Sequence, residues 1–244
     1  MNRRAQISLL LLAAASGCVD ALAFTVLGTV FAGVMTGNLV LLGVAVGHLG
    51  HGPGTGEGMS APLYALGGYV VGAALVAFVC RGVARRPEWP GRVVACLAAQ
   101  AVLLAGVAVV AAVFDGHPGA AWRTVLLVVA AVSMGGQSAA MVAAGSGAAP
   151  TTYFTGTLTT LVTGIADGSP RGAGQLWVAA RLLAVVGGAA CAVAVHTGAP
   201  AWGFVPPAVL TAAAVACQEP AQRLRRAVTP VHKNPLHGTD NETN

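Results

Sequence analysis

Near 5–28, 60–81, 92–114, 122–145, 174–197 and 202–217 the chain is apolar for long enough to cross the ~30 Å hydrocarbon layer of a membrane at ~1.5 Å per helical residue. Nothing else in the sequence limits its fold so strongly, because a backbone inside lipid has to satisfy its own hydrogen bonds, and a helix does so within one segment. Composition agrees: 56% of residues are hydrophobic and only 9% charged, with a mean hydropathy of +0.74. The expected fold is all-α, a polytopic transmembrane helical bundle. With 33 glycines and much Ala and Val, its helices are thin enough to approach closely.

Two further apolar pieces, near 29–49 and 150–166, are interrupted by Gly and hydroxyl residues. Basic residues decide how they run, because Lys and Arg concentrate in short cytoplasmic loops. If both pieces dip in and return on the same side, the cytoplasm collects Arg3, Arg4, Arg81, Arg85, Arg86, Arg92, Arg171, Arg223, Arg225, Arg226 and Lys233, and Arg123 alone stays outside. The sequence therefore predicts six spans plus two re-entrant broken segments, with both termini cytoplasmic. One transmembrane domain covers 1–218, and a polar tail over 219–244, with Pro220, Pro230 and Pro235, is expected to be disordered.

Sliding the chain on itself by 119 residues places Gly17 on Gly136, Ala21 on Ala140, Gly28 on Gly147, Thr36-Gly37 on Thr155-Gly156 and Leu39 on Leu158. Three spans per half put the second half into the membrane in the opposite sense, so the expected architecture is a 3+3 inverted repeat of about 5–114 and 121–218. In such folds the working site lies near the midplane, where broken helices meet.

Seven residues stand out as solute-binding candidates in the two broken segments and the first span: Asp20, Thr36, Gly37, Asn38, Thr155, Gly156 and Thr157. Gln137, beside the repeat counterpart of Asp20, is the eighth. Gly supplies turns, while hydroxyls and amides satisfy freed backbone groups or a solute. The Thr-Gly pairs can equally serve as tight helix crossings. Asp20 is the sharpest signal, since an ionised carboxylate in a span costs about 2.5–3.5 kcal/mol on insertion scales. It has three readings: a proton or cation site, a cap on the broken segment's amides, or a place near the outer headgroups. Arg181 either snorkels to the inner headgroups or pairs with Asp20 or a solute anion.

Other features carry less. The basic start with Ala15-Ser16-Gly17-Cys18 is similar to a lipoprotein cleavage site, but the chain stays apolar beyond it and reads as a retained span. The five cysteines lack a CxxC pair and read as small buried hydrophobes. His48 and His51 lack a ligand cluster, and His117 and His196 fall at outer ends. The net charge of +5 sits at span ends, which excludes nucleic acid as a partner. No catalytic, metal or cofactor motif is present, so neither an enzyme nor a cofactor is expected.

The stretch SGCVDALAFTVLGTVFAGVMTGNLVLLG, through Gly17, Asp20, Ala21, Phe24, Leu27, Gly28, Phe31, Met35, Thr36, Gly37, Asn38 and Gly43, resembles the signature of the YoaK-like bacterial membrane proteins, a family of unknown function. GGQSAAM and TYFTGTLTTL look like its second-half counterpart, and the resemblance covers about 5–218. It implies a multi-pass protein of the bacterial inner membrane and brings no activity. The residues themselves point to a small secondary permease for a small polar or anionic solute, with a channel or a non-transporting scaffold or sensor as alternatives. Small-residue faces at Gly67-Gly68 with Gly72, and at Gly187-Gly188, suit close helix contact within a chain or in a homo-oligomer.

Overall fold

A computed structural model describes residues 3–48, 57–82, 89–145, 156, 158–159, 162–164 and 173–218. These are helical apart from short turns, and no strand occurs among them. The long helices are α1 (Arg3–Leu22), continued by a π-helical turn (Ala23–Gly28), then α3 (Glu57–Val79), α4 (Gly91–Val113), α5 (Ala120–Ala144) and α6 (Ala173–Gly198). Five of the apolar runs therefore form helices long enough to span. The sixth run is shorter than its apolar length suggests: a 3-10 turn, Pro200–Trp202, precedes α7, Val205–Ala216, of 12 residues. Pro206 and Pro207 fix where it starts, because both stand in its first turn, where a missing amide donor leaves no helix bond unmade.

Two helix crossings hold the bundle together. On α1, a Cβ added at Gly17 would collide with the Val185 carbonyl of α6, and one at Gly188 with the Ala14 carbonyl. Between α3 and α5, Gly72 meets the Val132 carbonyl and Gly135 that of Tyr69 in the same way. Adding 118 to the α1 residues and subtracting 116 from the α6 residues converts the first set of contacts into the second. Gly67 and Gly187, by contrast, have open space where a Cβ would stand.

Contacts also fix the running directions. Gln6, early in α1, receives a bond from Arg181, and Cys18, late in α1, donates to the Gly188 carbonyl, so α1 and α6 are parallel. Gly68 lies at Val128 and Gly136 at Val76, so α3 and α5 are parallel too. Leu9 clusters with Met141 while Leu22 clusters with Leu126, which makes α1 and α5 antiparallel. Ser8 donates to the Ala214 carbonyl, so α7 also opposes α1. The Phe114 ring packs, tilted, against Trp122 across the turn that joins α4 to its antiparallel neighbour α5. Directions thus alternate along the chain, with α1, α4 and α6 one way and α3, α5 and α7 the other.

The remaining helix, α2 (Met35–Gly47), breaks this pattern. After the π-turn the chain reverses at Gly28 (φ +150°), a conformation that glycine tolerates, and Thr29 follows in the left-handed region. Residues 29–34 return to the level of Asp20, and α2 then carries Leu41 and Val44 back beside Gly28, near the start of α3. The segment begins and ends at the same end of the bundle.

Candidate functional site

The buried core falls into two apolar clusters. One holds Cys18, Leu22, Leu104, Leu126 and Met134; the other holds Leu9, Leu12, Val93, Leu97, Ala140 and Met141. Between them, on three helices at once, lies a polar layer: Ser16 of α1, Gln100 of α4, and Ser133 and Gln137 of α5, each at most 4% exposed. The Gln100 amide donates to Gln137 Oε1 at 2.6 Å, and Gln137 Nε2 donates to the Leu12 carbonyl at 3.4 Å. Ser16 lies one turn beyond Leu12 on α1 and Ser133 one turn before Gln137 on α5, so the antiparallel register sets the two hydroxyls next to the amide pair. Among the described residues, Ser16 Oγ, Ser133 Oγ and Gln100 Oε1 have no hydrogen-bond partner. Orphaned polar atoms in a packed interior each cost about 1–3 kcal/mol, so the layer does not stabilise the packing around it.

Toward the Gly28 end the broken segment is held by two side chains. Asp20, partly buried, accepts a 2.6 Å bond from the Gly33 amide. It faces the open N-terminus of α2, where Val34 provides no side-chain cap. A carboxylate there answers both the unpaired amides and the helix dipole. Asn38 is fully buried and bonds Phe31 twice, accepting from its amide at 2.9 Å and donating to its carbonyl at 2.6 Å. Gly37 leaves room for the Phe31 ring, 2.9 Å from where a Cβ would stand, and that ring stacks on Phe24.

The sequence candidates therefore separate. Gln137 lies in the buried polar layer, Asp20 and Asn38 brace the broken segment, and Thr36 is exposed on α2. Gly156 is half-buried at a helical position, while Thr155 and Thr157 lie outside the described residues, as does the tail from Glu219. Arg181 is not paired with Asp20. Its guanidinium donates to Gln6 Oε1 at 2.7 Å, and Gln6 lies about 21 Å from Asp20 along α1. Its position early in α6 explains this, since the parallel pairing with α1 brings it to that helix's beginning. Gln100 and Ser133 belong to no motif, and Ser16 belongs only to stretches singled out for other reasons. The one signal for them is Gln100 itself, an uncharged amide alone in the apolar run CLAAQAVLLAG.

A family model described as Protein of unknown function (DUF1275) matches residues 8–217. The chain belongs to this family. It is also 33% identical over 160 residues to the UPF0700 transmembrane protein YoaK of Bacillus subtilis (strain 168), an alignment covering 66% of each chain. No solved structure matches. Family, relative and apolar helices together make this DUF1275 chain a multi-pass membrane protein. The polar layer and both braces fall inside the matched region.

Proposed function

We propose that the protein is a small secondary permease, not an enzyme, of the bacterial inner membrane, moving a small polar or anionic solute through a midplane site between two inverted halves. One observation carries this reading: a closed layer of four buried polar side chains, three with an unpartnered oxygen, at mid-depth between two apolar clusters. A lipid-packing core has no use for such groups, whereas an alternating-access site needs them shut away from both sides.

Three further features support it. The matched glycine crossings, α1 on α6 and α3 on α5, are what a pseudo-two-fold axis in the membrane plane would generate. Alternating helix directions suit six crossings, with α2 re-entrant from the outer side and both termini cytoplasmic. The closed layer favours alternating access over an open pore.

A single cysteine in a Cys-free background tests the reading without knowledge of the solute. Ser133→Cys is expected to react with a membrane-impermeant thiol reagent from the outside in right-side-out vesicles and from the inside in inverted ones, while Met141→Cys in the apolar cluster stays silent. Silence of Ser133→Cys from both sides rejects the permease.

A further inference from the structure

Building on the permease reading, we infer that the midplane layer selects an uncharged solute bearing both hydrogen-bond donors and acceptors, of the primary amide, urea or small polyol class. No side chain of the layer carries a formal charge: it offers two serine hydroxyls and two carboxamides. The nearest ionisable groups are already engaged. Asp20 lies one turn beyond Ser16 on α1, about 6 Å along the helix, and its carboxylate is taken up by the Gly33 amide. The N-terminus of α2, which would favour an anion, is thus occupied by the chain's own acid. Arg181 is held by Gln6, ten residues before Ser16, about 15 Å down the helix.

An anion entering the layer would be stripped of water with Arg181 too far to meet it, and a cation would have to compete with the Gly33 amide for Asp20. A neutral solute would gain what the layer lacks. Gln100 Oε1 is a spare acceptor for an N–H or O–H, and the Ser16 and Ser133 hydroxyls donate to a carbonyl or hydroxyl oxygen. A buried site built to hydrogen-bond a solute also rejects analogues that leave its groups unpaired.

The full chain is reconstituted in liposomes and mixed with hyperosmotic glycerol, urea or acetamide, and in parallel with potassium nitrate or formate plus a potassium ionophore. Reswelling is followed by light scattering. Protein-dependent reswelling is expected with at least one uncharged solute and neither anion, slowed about tenfold by Gln100→Leu and by the milder Ser16→Ala and Ser133→Ala. Entry of the anions alone overturns the uncharged class and leaves the permease standing. Uncharged entry that ignores all three substitutions shows that the layer is not the selecting site and also overturns the inference. No entry of any solute removes the permease reading, and this inference with it.

Discussion

The carboxylate of Asp20 accepts a 2.6 Å hydrogen bond from the amide of Gly33, thirteen residues later, so an acid in the first span closes the start of the helix that follows. Replacing it separates geometry from charge. Asp20→Asn retains an acceptor for Gly33 and is expected to cost about 1 kcal/mol or less. Asp20→Ala leaves the amide unmet, costing about 1–3 kcal/mol. Thermal unfolding in detergent measures both; equal losses would show that the bond is not what stabilises the loop.

Asn38 and Thr36 sit two residues apart in the same polar knot and predict opposite outcomes. Asn38→Leu removes both bonds to Phe31 and strands its backbone, for a loss of about 2–4 kcal/mol. Thr36→Val, on the exposed face, is expected within about 0.5 kcal/mol of wild type. Protease sensitivity of the 29–34 loop and unfolding temperature read the contrast.

The crossings predict matched damage. Gly17→Val and Gly135→Val drive side chains into facing carbonyls, and each is expected to cost about 1–3 kcal/mol or more. Gly67→Val and Gly106→Val, which meet open space, are expected to leave the amount of folded protein recovered from membranes unchanged.

Topology has its own test. Cysteines placed at Gly52 and Gly91 in a Cys-free background are expected to label from outside intact cells at Gly52 alone. Labelling at Gly91 instead would mean that the 29–49 segment crosses fully, contrary to the same-end return of α2.

Span positions were legible because apolar length is a one-dimensional property, and five of the runs coincide with helices to within about two residues. The break before α2 was legible as well, since Gly28 and the Thr-Gly-Asn knot are local chemistry. Partnership was harder. Arg181 and Asp20 are the only charges deep in their spans, and it is tempting to pair them, yet which residues face one another depends on helix direction and register. The same limit hid the polar layer: Ser16, Gln100 and Ser133 look like small or amide substitutions in greasy helices until three helices bring them to one depth. Ser16 in addition sits in a motif similar to a cleavage site. The short α7 escaped because hydropathy does not register that Pro206-Pro207 must begin a helix.

The strongest helix contacts join the chain before residue 114 to the chain after 120: α1 to α6 and α7, α3 to α5, and α4 to α5 and α7. Cys18 meets its partner 170 residues later, and Ser8 meets one 206 residues later. During synthesis α3 and α4 must therefore wait in the bilayer for α5, and α1 for the final third of the chain. Such high sequence separation makes assembly slow and exposes the half-built chain to quality-control proteases. The first half made alone lacks the partners of α1, α3 and α4, and cellular levels of this protein should depend on how quickly its last two helices are delivered.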